Sequence, residues 1–276
     1  MKENINTLFI ADIVGKPGRW AVSQLLPQLK EKFKIDFVVA NVENAAGGYG
    51  LTKEIAQKIY SYGVDCQTSG NHIWDRKEIY DYLEEDRHLL RPANYPPTVP
   101  GYGSNVMETI EGVKIGVLNI QGRVFIKEID CPFRISEREI NVIREQTNII
   151  LVDVHAEATS EKIALGWFLD GRVSAILGTH THVQTADETI LPGGTAYITD
   201  AGMTGAHDSV IGIYKEDALS RFITQLPVRF RMASEDIKFC GAVVSIDTNT
   251  GKAKSITRLR IDLAKKDKVN LEELDF

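Results

Sequence analysis

The sequence is short of cysteine, of positive charge and of long apolar runs, and each shortage removes a class of protein. Its three cysteines, Cys66, Cys131 and Cys240, are scattered and form no Cys-x-x-Cys pair. That leaves no disulfide framework and no thiolate zinc site, and it predicts a reducing, cytoplasmic setting. No apolar run approaches the roughly 18 residues of a membrane-spanning helix. The N-terminal run at 8–11 is too short for the core of a signal peptide. Lys and Arg number 32 against 38 Asp and Glu, a net charge of −6. Extended nucleic acid is therefore disfavoured as a partner, because nonspecific binding needs clustered Lys and Arg at phosphates. No G-x-G-x-x-G, P-loop or G-x-S-x-G is present, which argues against a dinucleotide-dependent dehydrogenase, a P-loop NTPase or a serine hydrolase. Internal repeats and low-complexity segments are lacking too.

The 276 residues, 43% hydrophobic and 25% charged, have ordinary globular composition. A chain of this length buries a large core without staples, and no linker divides it, so a single domain over 1–276 is expected. Short apolar runs at 8–11, 37–40, 64–68, 105–110, 113–120, 149–154, 173–177, 195–199, 241–247 and 255–261 read as strands. Amphipathic stretches at 18–33, 52–62, 75–85, 136–146, 160–169 and 215–225 read as helices, the first with Pro27 in its middle. Thr52 is a predicted N-cap, and Asp75 with Glu78, and Ser136 with Glu139, have capping-box spacing. Strand–helix alternation in the first half predicts parallel βαβ units, and the later strand-rich part a second, mixed sheet. The expected architecture is α/β, two stacked mixed β-sheets flanked by helices. The Pro- and Gly-rich segment 91–103 and the segment 121–133 are expected as loop excursions over the site, and the charged tail 265–276 as solvated.

Polar residues follow five predicted strands. Asp12 follows the first; Asn41, Glu43 and Asn44 the second; Asn71 and His72 the third; His155 the strand at 149–154; and His180 and His182 the strand at 173–177. In open α/β sheets, ligands bind outside the carboxyl ends of strands. Four of the six histidines thus converge on one crevice. Imidazole and carboxylate together suit iron, manganese, zinc and related ions. The donors exceed what one tetrahedral ion needs, so two ions sharing a carboxylate is the economical reading. Two divalent ions against Asp12 and Glu43 leave surplus positive charge, which suits a phosphate anion even on an acidic chain.

Gly70-Asn71-His72 and Gly178-Thr179-His180-Thr181-His182 resemble the GNH and GHxH blocks of calcineurin-like metallophosphoesterases. The usual Asp-x-His is here Asp12-Ile13-Val14, and the usual Gly-Asp block is Asn41-Val42-Glu43-Asn44. Those departures are the pattern of the YmdB-like phosphodiesterases. Asp12-Ile13-Val14-Gly15-Lys16-Pro17-Gly18-Arg19, Glu43-Asn44-Ala45-Ala46-Gly47-Gly48, Arg91-Pro92-Ala93-Asn94, His155-Ala156-Glu157-Ala158-Thr159-Ser160-Glu161 and Gly202-Met203-Thr204-Gly205 also match that subgroup. The resemblance runs from about residue 7 to about 262. It implies a four-layer αββα fold, a dinuclear site, usually iron or manganese, and hydrolysis of 2′,3′-cyclic or 3′,5′-cyclic nucleotides. By position it implies Asp12, Glu43, Asn44 and His182 around one ion, and Glu43, Asn71, His155 and His180 around the other, with Glu43 bridging. Asn44 takes the place of the missing histidine.

On that basis a metal-bridging hydroxide is expected to attack phosphorus in line with the leaving ribose oxygen. His72, next to Asn71 but not itself a ligand, is the expected general acid. Asp75 is read as a helix N-cap in preference to an orienting partner for His72. Gly47 and Gly48 would let backbone N–H groups approach phosphate, Tyr49 would stack a base, and Arg91 is either a phosphate contact or the start of a turn. His88 and His207 are read as surface or loop residues. The rival readings are a phosphomonoesterase or nuclease on the same site, and a nucleotide-sensing regulatory protein with little turnover. Neither oligomeric state nor native metal follows from the sequence; a homo-oligomer is allowed.

Overall fold

The computed structural model describes residues 2–263, so the charged tail lies outside the described residues. Thirteen strands and six helices appear among them, in the order β1 (Asn4–Ile10), β2 (Asp12–Ile13), α1 (Gly15–Lys32), β3 (Phe37–Asn41), α2 (Lys53–Ser61), β4 (Cys66–Thr68), α3 (Ile79–Glu85), β5 (Ser104–Glu108), β6 (Lys114–Gln121), α4 (Pro132–Arg144), β7 (Ile150–His155), α5 (Thr159–Leu169), β8 (Ala175–Thr179), β9 (Thr189–Ile190), β10 (Ala196–Ile198), β11 (Met203–Ala206), α6 (Lys215–Thr224), β12 (Ile237–Asp247) and β13 (Ala253–Leu263). A 3₁₀ turn at Asn71–Asp75 follows β4. No helix among the described residues is long and apolar enough to cross a membrane.

Both sheets are mixed. The first runs β2-β11-β12-β1-β3-β4, with β13 on β12; the second runs β5-β6-β7-β8-β10-β9. β1, β3 and β4 are parallel, as are β6, β7, β8 and β10. The C-terminal pair β12–β13 returns to the first sheet, antiparallel to β1. The later strands therefore do not all belong to the second sheet, as their order in the sequence suggested.

Alternation along the strands sorts side chains into three cores. Ile5 and Phe9 of β1, Val39 of β3 and Leu151 of β7 pack between the sheets. Leu8 and Ile10 of β1 face α1, whose Val22, Leu25 and Leu29 cover them. Ile150 and Val152 of β7 face α4 and α5. The result is the four-layer αββα sandwich. Pro27 lies inside α1 without ending it. The missing N–H costs one hydrogen bond, and burial of the apolar face on both sides of Pro27 offsets that loss.

Thr52 caps α2 as predicted, its Oγ1 accepting from the Ile55 N–H at 3.2 Å. The other two capping boxes are corrected. α3 begins at Ile79, because the Asp75 carboxylate is engaged by His72 instead of by backbone N–H groups. α4 begins four residues before Ser136, at Pro132, whose fixed φ and missing donor suit a first turn. Ser136 is buried inside that helix, and Glu139 accepts from Ser104 Oγ. The segments 91–103 and 121–133 are joined by Asn94, whose Nδ2 donates to the carbonyls of Gln121 and Asp130. They flank a separate groove beside Trp74 and contribute nothing to the lining of the crevice described below.

Candidate metal centre

The carboxyl ends of β3, β4, β7 and β8 meet where the two sheets face one another. Along β7, Leu151, Asp153 and His155 share the inner face, since side chains repeat every second residue. Asp153 is buried and accepts from Asn41 Nδ2 (2.9 Å), Thr68 Oγ1 (2.5 Å) and Thr179 Oγ1 (2.7 Å). One carboxylate thus ties the ends of β3 and β4 in the first sheet to β8 in the second. Burial pushes its pKa up, and these three donors and His155 oppose the rise.

Above Asp153, three histidines are each held by one ring nitrogen. His155 Nδ1 lies 3.0 Å from Thr179 Oγ1, whose own proton goes to Asp153. His180 Nε2 lies 3.1 Å from Glu157 Oε2. His182 Nδ1 lies 3.0 Å from the Ile211 carbonyl. Holding one nitrogen as a donor leaves the lone pair of the other free. His155 Nε2 and His180 Nδ1 then face one another at 3.0 Å. Around that same His155 nitrogen lie Glu43 Oε1 at 3.1 Å and Asn71 Oδ1 at 3.2 Å. Four acceptor atoms converge where one proton can serve few of them. Glu43, His155 and His180 each bring a ligand atom within 4.8 Å of the others.

A second group adjoins the first. His182 Nε2 lies 3.9 Å from Asp12 Oδ1 and 3.3 Å from Asn44 Nδ2, which also donates to Glu43 Oε1 at 3.0 Å. Asp12 Oδ1 is buried without a hydrogen-bond partner, while its Oδ2 accepts from the His180 N–H. A buried, orphaned carboxylate oxygen is costly unless a cation meets it. The donor set, imidazole and carboxylate with no thiolate, fits that cation.

The electrostatics agree. Burial raises the Glu43 carboxyl pKa, but His155 and His72 together hold it well below the usual range. Burial lowers the His155 imidazole, yet Glu43, Asp12 and Asp153 lift it to about 9. Burial and the adjacent His155 push His180 down to about 3, and burial lowers His182. Burial, with Glu43 and Asp200, raises Asp12 against the pull of His155. The surrounding carboxylates therefore favour a positive charge at this point, whether a proton on His155 or a bound cation supplies it.

Two backbone features make this crowding possible. A Cβ built on Gly70 would overlap the His155 ring and the Glu43 carboxylate, so the first residue of Gly70-Asn71-His72 has to be glycine. His180 and His182 both adopt left-handed backbone, φ 97° and 61°, unusual for residues other than glycine.

The crevice over these groups has a volume of about 410 Å3. Glu43, Asn44, His180 and His182 reach its lining, together with Gly48, Tyr49 and His72 and the apolar residues Val183, Ile211, Ile213 and Met232. His72 Nδ1 is 2.8 Å from Asp75 Oδ2, the orienting contact the sequence had ranked second. Tyr49 packs edge-on against His72, ring centroids 5.3 Å apart.

Other predicted contacts fall elsewhere. Gly47 lies outside the crevice lining. The N–H groups of Ala45, Ala46 and Gly48 turn inward to the carbonyls of Val42, Gly50 and Asn44, so this loop does not offer them to phosphate. Arg19 and Arg76 brace it by donating to the carbonyls of Ala45, Ala46 and Tyr49. Arg91 is buried, and its guanidinium donates to the Pro92 and Ala93 carbonyls. That corrects the phosphate-contact reading in favour of the turn. His88 is exposed and His207 bonds the Met203 carbonyl, both away from the crevice.

Asp153, Thr179 and Glu157 were not anticipated as site residues. The parity of Asp153 with His155 on one strand was a usable signal, and Glu157 lies within the matched block His155 to Glu161; the apolar lining residues Val183, Ile211, Ile213 and Met232 had none.

The family model described as "YmdB-like protein" matches residues 8–259. The chain belongs to the YmdB-like family. Among YmdB-like relatives, the 2′,3′-cyclic-nucleotide 2′-phosphodiesterase of Bacillus subtilis (strain 168) is 49% identical over 255 residues, covering 92% of this chain and 96% of that one. A putative phosphatase/phosphodiesterase of Mycoplasma genitalium is 34% identical over 270 residues, covering 95% and 94%. In solved structures, a hypothetical protein from Thermus thermophilus superposes with TM-score 0.87 at 42% identity, covering 94% of this chain and 99% of that chain. A novel phosphatase from Mycoplasma pneumoniae superposes with TM-score 0.89 at 34% identity, covering 95% of each. Similarity of this extent spans the whole site, from Asp12 to His182.

Proposed function

We propose that this chain is a cytoplasmic phosphodiesterase that hydrolyses cyclic nucleotides, 2′,3′-cyclic and 3′,5′-cyclic, with two metal ions, iron in first place and manganese in second. The observation that carries the reading is the convergence of the His155 and His180 lone pairs with Glu43 and Asn71, beside an orphaned Asp12 oxygen. Asp12, Glu43, Asn44 and His182 are assigned to one ion; Glu43, Asn71, His155 and His180 to the other. For Asn44 the assignment requires the amide turned so that Oδ1 faces the ion. When bound, the ions supply Lewis-acid charge for the phosphate and an activated water.

The chain's own groups do the rest. His72 is assigned as general acid through Nε2, because Asp75 holds Nδ1. An alkoxide is a poor leaving group, and a positioned acid contributes roughly 10²–10⁴ in rate. The apolar lining residues Val183, Ile211, Ile213 and Met232 would support a nucleobase without reading its edges, and Tyr49 lines the same crevice. A crevice of about 410 Å3 suits one nucleotide and leaves no room for a duplex. The Bacillus subtilis relative, named for action on 2′,3′-cyclic nucleotides, supports the substrate class.

The test is metal analysis of anaerobically purified protein, with turnover of both cyclic nucleotides on the same sample. Two bound ions per chain and hydrolysis of at least the 2′,3′-cyclic substrate are expected. Metal-replete protein that binds nucleotide without turnover would overturn the reading in favour of a sensor. A preference for p-nitrophenyl phosphate over its bis ester would overturn it in favour of a phosphomonoesterase.

A further inference from the structure

Beneath the loop that carries His180 and His182 lies a buried ion pair that the chemistry above does not use. Lys162 of α5 and Asp200, after β10, have side chains only 1% exposed, and Lys162 Nζ lies 2.7 Å from Asp200 Oδ2. Lys162 also donates to the Thr179 carbonyl at 2.7 Å. Asp200 Oδ2 in turn accepts from both the backbone N–H (3.1 Å) and the hydroxyl (2.7 Å) of Thr181, the residue between the two histidines. Its Oδ1 accepts from the Gly202 N–H at 2.9 Å. The backbone of Asp200 holds the far end of the loop, through Thr185 N–H to its carbonyl and its own N–H to Thr185 Oγ1.

A buried ion pair is weak evidence for stability, because desolvation offsets most of the attraction. Its placement here is specific. Thr181 is flanked by two non-glycine residues in left-handed backbone, a conformation that persists where surrounding contacts over-determine it. The Asp200 carboxylate supplies those contacts, and Lys162 holds the carboxylate in place. Close approach is built in at Gly178: a Cβ there would overlap the Thr199 carbonyl and press on the Lys162 side chain.

We propose that Lys162, Asp200 and Thr181 are positioning residues that hold the His180-Thr181-His182 backbone so that both imidazoles present their free nitrogens to the metal ions. This rests on the metal-site reading above. Outer-shell partners of this kind typically alter metal affinity by about 10–100-fold when removed.

The test is Mn2+ affinity, measured by competition with a chelating dye, alongside the melting temperature of the metal-free protein. Thr181→Val removes one hydroxyl and leaves the Lys162–Asp200 pair intact, so it avoids stranding a buried charge. It is expected to weaken Mn2+ binding by about 10–100-fold with the metal-free melting temperature unchanged, and Thr181→Ser is expected to restore wild-type affinity. A Lys162→Met/Asp200→Asn double variant, which removes both charges together, is expected to lose affinity at least as far. Wild-type Mn2+ affinity in Thr181→Val overturns the inference while leaving the metal site standing. A loss of affinity matched by a fall in metal-free melting temperature also overturns it, because the cluster is then structural. Absence of Mn2+ binding by the wild-type chain overturns the metal-site reading itself.

Discussion

His72 Nδ1 sits 2.8 Å from Asp75 Oδ2, three residues along the same 3₁₀ turn that carries Asn71. This contact fixes which nitrogen faces the crevice, and it makes the assigned role testable through the leaving group. p-Nitrophenolate leaves without help, whereas a ribose alkoxide needs a proton. His72→Ala is therefore expected to lose roughly 10²–10⁴ in kcat on a 2′,3′-cyclic nucleotide and far less on bis(p-nitrophenyl) phosphate, with metal content unchanged. Equal losses on both substrates, or loss of metal, would remove His72 from the acid role.

Glu43 is the carboxylate assigned to both ions. It is buried, its Oε1 meets His155 and Asn44, and its Oε2 accepts from the His72 N–H. Glu43→Gln keeps the shape and removes the charge. The expected result is loss of bound metal and of activity together, read by elemental analysis and turnover. Near-normal turnover in a metal-replete variant would contradict the bridging role.

His155 gives a pH signature to metal binding. In the metal-free protein burial lowers its pKa, and Glu43, Asp12 and Asp153 more than reverse this, raising it from 6.5 to about 9. A raised folded-state value stabilises the fold fully below pH 6.5 and less as pH climbs through 9. Metal-free protein is thus expected to melt at lower temperature at pH 9 than at pH 7, a trend the metal-loaded protein lacks. Ion uptake at pH 7.5 must expel the His155 proton. Calorimetry in two buffers of different ionisation enthalpy should show about one proton released per chain; identical heats in both buffers would refute it.

Gly70 offers a steric test. Gly70→Ala places a methyl group against the His155 ring and the Glu43 carboxylate. We expect metal occupancy to collapse, with a destabilisation of about 1–3 kcal/mol from overpacking, measured by denaturant unfolding of the metal-free protein.

Most of the site was legible because its donors sit immediately after strands, where polar residues interrupt apolar runs: Asp12, Glu43, Asn71, His155, His180 and His182 are all brought together. What stayed hidden depended on partners distant in sequence. Asp75 was read as a cap because spacing cannot reveal that His72 competes for its carboxylate. Arg91 stayed open between a phosphate contact and a turn, because the sequence does not show that its guanidinium is spent on neighbouring carbonyls. Lys162, on a helix between motifs, gave no sign that it would be buried against Asp200. The return of β12 to the first sheet was hidden for the same reason, since strand order is set by pairing between residues more than two hundred positions apart.

That return has a consequence in time. Asp12 lies on the two-residue strand β2, whose ladder partner is β11, and β11 is held in turn by β12. A chain emerging from the ribosome possesses its N-terminal carboxylate almost at once, but the ladder that fixes the strand carrying it is incomplete until residues 203–247 have been made. The Asp12 end of the proposed site is thus expected to be ordered after Glu43, Asn71, His155 and His180, the residues of its other end, have all been synthesised.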